Sequence, residues 1–449
     1  MNKELIRNWF RQSWFFILYL ALAAGYAIIT PPLRGPDERN HFLRSYEISE
    51  LRFFPHRLSD GFVGDELPAG LFQLSEALGA HNNPAVSSAE LTAARAVTLQ
   101  PDKRIPIEFS NSALYAPGVY LPAATAILIG RVMGLSPLHL LCLARAANVL
   151  AASLLVALAV SRAPYARWPA MLVALIPMSV SQTALITADA FTFSVSFLWI
   201  ALIIDWAISG AGPLRPKSWA LLLAVAIFLA QLRPPYPLLV ALLLIVSPSR
   251  IGLGRANAVV YASIVLAAVI PALAWNIWAQ PLFVPEKDYP PPLTQLESLR
   301  KKPRLFFRAV KYHLAQNSAK NWSEAVGRFE WLNIPLPAWV TTGYAVSLLL
   351  GCFVGRPNTP QPKPWQRAVI GAVALGGIGA IHLLLYITYN LAWIQGRYFI
   401  PFFMVAAFAL AVSIPIPKPV RFAMRSACIG FALLANLVSL LAIARAGTA

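Results

Sequence analysis

Charge is what this 449-residue chain has least of. Asp, Glu, Lys and Arg make up 12% of it, against 58% hydrophobic residues, and the mean hydropathy is +0.60. A soluble domain carries roughly twice that share of charge, so the composition points to an integral membrane protein. Cysteine is scarce as well. Cys142, Cys352 and Cys428 all sit inside apolar runs, which argues against a disulfide framework and thiol redox chemistry and leaves them as small core residues. Also missing are a phosphate-cradling glycine loop, a His/Cys zinc spacing and a Gly-x-Ser-x-Gly elbow, so the common nucleotide-hydrolysing, zinc and serine-nucleophile motifs are absent. Acids number 19 against 37 basic residues, for a net charge of +18. That excess is spread over short loops between apolar runs, the pattern of topology determinants. The expected partner is therefore the lipid bilayer and not nucleic acid.

What is present is a series of apolar runs long enough, or nearly so, to cross a bilayer. They lie at Ser13 to Ile29, Leu138 to Val160, Trp168 to Ile186, Ala190 to Ile208, Ser218 to Val246, Val259 to Trp278, Ala338 to Val354, Val369 to Tyr389, Phe399 to Ile414 and Ala423 to Ala444. The first could be mistaken for a signal peptide, but its length and the acids just after it make it the first span. Six basic clusters belong in the cytoplasm: Lys3/Arg7/Arg11, Arg162/Arg167, Arg215/Lys217, Arg250/Arg255, Arg356/Lys363/Arg367 and Lys418/Arg421/Arg425.

That requirement decides two ambiguous segments. Leu114 to Met133 carries Pro117, Pro122 and Arg131, and if it spanned, every later loop would invert. It is expected to lie along the outer face with Tyr115 and Tyr120 at headgroup level. Ser218 to Val246, interrupted by Arg233-Pro-Pro-Tyr236-Pro237, would be about 43 Å long as one helix and is too short for two full spans. The basic loops on either side require a hairpin there, with Arg233 under the outer face and in need of an anionic partner. The expected fold is an all-α bundle of about 11 transmembrane helices. The amino end is inside and the carboxyl end outside, and the whole of residues 1–449 forms one transmembrane domain. Two long outer segments complete it: 31–112, followed by the juxtamembrane helix of 113–134, and 280–335. The first is expected to hold a short helix near Ala89 to Val97. The second has a basic face, Arg300-Lys-Lys-Pro-Arg304 with Arg308 and Lys311, suited to something anionic or to lipid headgroups. Asn321-Trp-Ser323 matches a glycosylation sequon by chance.

With that topology, the polar residues hardest to explain as core gather at the outer face. Asp37, Glu38, His41 and Arg44 follow the first span in Pro31-Pro-Leu-Arg-Gly-Pro-Asp-Glu-Arg-Asn-His-Phe-Leu-Arg-Ser-Tyr46. Asp189 opens the fourth span, Arg233 and Tyr236 cap the hairpin, and Gln395, Arg397 and Tyr398 precede the tenth. Ionisable groups at a membrane edge are functional by default. The plainer alternatives are helix-terminal acids for Asp37, Glu38 and Asp189, and an interfacial anchor for Arg397. Arg145, inside the second span, pairs with a carboxylate or carbonyl, and His382 packs. Acids and arginines under a membrane surface suit group transfer from a lipid-linked phosphate. A carboxylate takes the acceptor's proton while arginines or a metal stabilise the leaving phosphate.

These residues also carry a resemblance. Pro31-Pro…Pro36-Asp37-Glu38…His41-Phe…Arg44…Tyr46, Tyr115-Ala-Pro117…Tyr120, Arg145…Asn148, Pro177-Met178…Asp189, Arg233-Pro-Pro-Tyr236, Gly327-Arg-Phe-Glu-Trp331 and Gln395-Gly-Arg397-Tyr398 resemble bacterial multi-pass proteins of unassigned function placed near the GT-C glycosyltransferases. The resemblance implies a GT-C-like fold in a bacterial inner membrane and a polyprenyl-phosphate-linked sugar donor. It also implies a glycan, lipid or protein acceptor of the cell envelope. The Asp-Glu pair is similar to that of protein O-mannosyltransferases, which gives Asp37 the part of base with Glu38 beside it. On this account His41, Arg44, Tyr115 and Tyr236 surround the substrates, and Arg233 or Arg397 faces the donor phosphate. Asp189 stands where related enzymes have a second acid. It is alone and not in an Asp-x-Asp pair, so no cofactor is required and a divalent metal is left open. The competing expectations are a transporter or flippase for a lipid-linked saccharide and a non-catalytic envelope-assembly subunit.

Overall fold

The protein is described by a computed structural model over residues 3–79, 85–163, 165–208, 216–247, 257–285, 288–355 and 359–448, with the side chains of 3–12, 216–217 and 448 left out. The basic positions Lys3, Arg7, Arg11, Arg215, Lys217, Arg250, Arg255 and Arg356 and the loop at 81–84 lie, in side chain or entirely, outside the described residues.

The chain opens with α1 (Lys3–Ile29) and enters a long mixed segment. This contains α2 (Glu38–Ser49), β1 (His56–Arg57), β2 (Val63–Pro68), α3 (Ala69–Ala77), α4 (Ser88–Ala96), β3 (Arg104–Glu108), α5 (Ser110–Ala113), a 3-10 turn at Pro117–Tyr120 and α6 (Leu121–Val132). A helical bundle follows: α7 (Pro137–Ser161), α8 (Arg167–Ala174), α9 (Pro177–Ala184), α10 (Ala188–Ile208), α11 (Pro216–Ala230), a 3-10 helix at Tyr236–Ile245 and α12 (Asn257–Ala279). A second long segment carries α13 (Pro292–Lys301), α14 (Pro303–Gly327) and the hairpin of β4 (Arg328–Phe329) and β5 (Ile334–Pro335). The chain closes with α15 (Ala338–Phe353), α16 (Pro364–Tyr389), a 3-10 turn at Gly396–Phe399, α17 (Ile400–Leu410) and α18 (Lys418–Thr448).

Among the described residues, five helices are long and apolar enough to cross a membrane: Pro137–Ser161, Ala188–Ile208, Asn257–Leu282, Pro364–Tyr389 and Lys418–Gly447. Shorter apolar helices include Ser13–Ile29, Ser218–Ala230, Tyr236–Ile245, Ala338–Phe353 and Gly396–Leu410. The run at Trp168 to Ile186 is split into α8 and α9. Pro177 has no amide hydrogen to give the preceding turn and holds Ile176 in an extended conformation, with φ −52° and ψ 125°. The expected break at Arg233-Pro-Pro is also present, dividing Ser218 to Val246 into α11 and the 3-10 helix. Helix α6, with the 3-10 turn before it, forms another of the shorter apolar helices, Pro117–Val132.

The chain is mostly helical, as expected, and the first long segment adds a small antiparallel sheet of β1, β2 and β3 in that order, with Leu67 opposite Ile105 and Gly64 opposite Glu108. Strand β2 is buried at Val63, Gly64, Asp65, Leu67 and Pro68, so no two-residue alternation announces it. The predicted short helix near Ala89 is α4, started by a capping box. Glu90 N–H donates to Ser87 Oγ at 3.2 Å, and Ser87 N–H donates to Glu90 Oε2 at 2.7 Å. A second apolar core, with Phe42, Leu67, Leu74 and Ile107, meets Leu140 and Leu141 of α7 and seats this segment on the bundle.

Candidate functional site

Position 37 is where the local fold departs from habit. Asp37 occupies the N-cap of α2, but in the left-handed region (φ 56°, ψ 10°) and with no side-chain capping bond. A non-glycine residue there is strained. Its Oδ1 instead accepts from Asn111 Nδ2 at 2.8 Å. The carboxylate faces a cavity of about 550 Å³, within the roughly 300 to 1,000 Å³ range of small-molecule sites.

The same cavity is lined by Tyr115, Arg233, Tyr236, Gln395, Arg397 and Tyr398, so seven of the expected residues, Asp37 included, come together there. They arrive from the first long segment, the α11 break and the turn before α17. The lining also includes the apolar side chains of Phe283, Ile381, Leu384, Leu385 and Trp393 and the carboxylates of Glu108 and Glu330.

Asp189 organises the arginines from behind. In the first turn of α10, where Thr187 Oγ1 accepts from the amide of Ala190 at 3.2 Å, its own side chain is free of capping. Asp189 Oδ1 accepts from Arg233 Nη2 at 3.1 Å. Its Oδ2 lies 3.1 Å from Arg397 Nε, an ion pair without hydrogen-bond alignment. Arg233 also donates from Nη1 to Tyr115 Oη at 3.1 Å and stacks over Tyr398, 4.1 Å from the ring centre. Tyr236 Oη donates to the Tyr398 carbonyl at 2.9 Å, tying the hairpin to the turn that carries Arg397. That turn packs too closely for any side chain at position 396, where a Cβ would meet the Asn321 carbonyl at 1.8 Å. Glu324 Oε2 holds the Gly396 amide at 3.0 Å.

Burial raises the Asp37 carboxyl above the usual aspartate range and Asp189 adds to the rise, while Arg397, Asn111 and Arg233 pull the other way. Gln395 lines the cavity, and its Oε1 is buried with no hydrogen-bond partner among the described residues.

Three expected residues take other places. Glu38 is fully buried and its carboxylate is fully used. Oε1 accepts from Arg145 Nε at 2.7 Å and the Ile186 amide at 3.2 Å; Oε2 accepts from Arg145 Nη2 at 2.6 Å and the Gly35 amide at 3.3 Å. Arg145 in turn donates to the Ala27, Thr30 and Pro31 carbonyls at the end of α1. Glu38 is thus a brace for the loop and not a second acid beside Asp37. Arg44 is buried against Glu47 and the Phe53 carbonyl, because residue 44 lies on the face of α2 turned into its own segment. His41 stands behind the cavity wall: its Nδ1 is 2.6 Å from Tyr120 Oη and its ring packs on Tyr115. Burial pushes its pKa down to about 3, so it is neutral at physiological pH.

Sequence reasoning missed Asn40, Asn111, Glu324, Glu330 and Trp331. The last two lie in the quoted Gly327…Trp331 motif, and the β4–β5 turn brings both to the cavity, with Glu330 in a left-handed conformation at φ 53°. Among the described residues no three His, Cys, Asp or Glu side chains converge as a metal set. Both Asp189 oxygens are already paired with arginine, so the donors present do not fit the divalent metal left open above.

The long apolar helices and the charged cavity at their ends define a multi-pass membrane protein. The chain belongs to the DUF2142 family of predicted membrane proteins, whose model matches residues 20–406 and so includes every site residue described above. No curated protein and no solved structure matches the chain.

Proposed function

We propose that the protein is a membrane glycosyltransferase of GT-C type, moving a sugar from a polyprenyl-phosphate donor to a cell-envelope acceptor at the outer face of a bacterial inner membrane. On this reading the bundle has about 11 spans, as the basic loops require. The observation that carries the proposal is the meeting of the Asp37 carboxylate with Arg233 and Arg397 in one cavity, part of whose wall is formed by Ile381, Leu384, Leu385 and Trp393. An isoprenoid suits that apolar part of the wall, and a phosphate suits two guanidiniums. The sugar itself comes from the GT-C resemblance.

The chemistry is a single displacement. An acceptor hydroxyl gives its proton to Asp37, its oxygen bonds to the anomeric carbon, and the bond from that carbon to the phosphate oxygen breaks. Arg233 and Arg397 take up the negative charge left on the phosphate. Asp189 keeps the two arginines close despite their repulsion. Attack from the face opposite the phosphate inverts the anomeric centre.

The test is Asp37→Asn in membranes of the native host, read as the envelope saccharide product by mass spectrometry. The product is expected to vanish while the variant folds and inserts normally. Undiminished product would remove Asp37 as the base. A transporter of the same lipid would keep translocating it with Asn at position 37, which separates the two classes.

A further inference from the structure

Asp37 is a wall common to two cavities. The second measures about 330 Å³; it is lined by Arg39 and Glu76 and shares Asp37, Asn40, Asn111 and Trp331 with the first. Whereas the large cavity has an aliphatic side formed by α16, the small one is lined mostly by polar side chains.

A chain of hydrogen bonds runs along the shared wall. Arg39 Nη1 donates to Asn40 Oδ1 at 2.9 Å, Asn40 Nδ2 to Asn111 Oδ1 at 2.7 Å, and Asn111 Nδ2 to Asp37 Oδ1 at 2.8 Å. Every donor points toward the carboxylate, so one oxygen is fixed and Oδ2 keeps no hydrogen-bond partner among the described residues. The charges around the small cavity are two carboxylates, Asp37 and Glu76, against one guanidinium, Arg39, since Glu38 is neutralised by Arg145. A lining of carboxylates and side-chain amides with no second guanidinium suits hydroxyl groups, which can donate to carboxylates and accept from amides. Trp331, 42% exposed, offers an indole face at the junction of the two cavities.

We propose that the small cavity is the acceptor subsite and that it takes a neutral polyhydroxylated group, a saccharide whose attacking hydroxyl reaches Asp37 from the side opposite the lipid phosphate. This rests on the reading of the large cavity as the donor site. Arg39, Asn40 and Asn111 are positioning residues for the base, Trp331 holds the acceptor, and the exposed Glu76 lies at the rim.

Two cysteine-reporter variants test it, each in the full chain with the exposed Cys142 changed to Ser, so that the reporter is joined only by the buried Cys352 and Cys428. Glu76→Cys reports on the small cavity and Trp393→Cys on the large one; both native side chains are exposed, so the changes are tolerated. The readout is the rate of modification by a membrane-impermeant methanethiosulfonate. Undecaprenyl phosphate is expected to slow the reaction at Trp393→Cys and leave Glu76→Cys unchanged. Neutral oligosaccharides released from the host envelope should do the reverse, by about tenfold at ten times their Kd. The proposal is overturned if the saccharides leave Glu76→Cys at its free rate, or if undecaprenyl phosphate slows both sites equally. If undecaprenyl phosphate protects neither while the saccharides still protect Glu76→Cys, the donor assignment fails and the saccharide site stands.

Discussion

Glu38 and Arg145 form a two-pronged ion pair, 2.7 Å from Nε to Oε1 and 2.6 Å from Nη2 to Oε2, one residue along the chain from Asp37. The two adjacent acids therefore divide the work. Glu38 clamps the Pro31-to-Pro36 turn to α7, and that clamp leaves Asp37 strained and facing the cavity. Arg145 spends its remaining donors on three carbonyls at the end of α1, groups that a helix terminus otherwise leaves unsatisfied.

Removing one side of this pair is expected to damage the fold. Arg145→Met strands a buried carboxylate and should destabilise the protein by about 3 to 5 kcal/mol, the range for breaking a buried ion pair. Combining it with Glu38→Gln should recover part of that loss. Thermal unfolding in detergent of the two single variants and the double variant measures the coupling, and a double variant no better than Arg145→Met would deny it.

Asp37 is predicted to be a liability for stability. Its folded pKa is raised by burial, so the folded state favours the protonated acid. The sign follows by linkage: its contribution is most favourable below the unfolded pKa, at about pH 4, and is lost as pH rises through the folded value. Asp37→Asn should accordingly melt at a higher temperature than wild type at pH 7, with the gap closing toward pH 4. Asn also tolerates the left-handed backbone at this position. A lower melting temperature at pH 7 would show that the carboxylate stabilises the fold.

Asn111 acts on the same titration. Its hydrogen bond favours the ionised form of Asp37, so Asn111→Ala should raise the Asp37 pKa further. The acid limb of the pH–activity profile is then expected to move to higher pH, with activity largely recovered at alkaline pH. A uniform drop at every pH, with the limb unmoved, would mean that Asn111 only fills space.

Much of this arrangement was legible in the sequence. The proline-broken run around Arg233 and the collection of Asp37, Asp189, Arg233 and Arg397 at helix ends follow from length, charge and proline chemistry. The roles within Pro36-Asp-Glu-Arg-Asn-His were not legible. Neighbours on a helix point about 100° apart, so which acid meets Arg145 depends on where α7 passes. Arg44 was misplaced for the same reason, because a buried arginine answered by Glu47 reads in sequence like one answered by a ligand. Asn111 and Glu324 act across 74 and 72 residues, and no spacing rule announces such partners. The strands of the first segment escaped because β2 is buried on both faces.

The central claim is that Arg233 and Arg397 hold a lipid phosphate in the cavity beside Asp37. Its most direct test is equilibrium binding of undecaprenyl phosphate to the purified full-length protein, wild type against Arg397→Gln and Arg233→Gln, with unfolding curves recorded on the same samples. Hydrogen bonds to charged groups contribute about 1.5 to 3 kcal/mol, so each folded variant should bind roughly 10- to 100-fold more weakly. Equal affinity in the three proteins, or no binding by the wild type, would contradict the account.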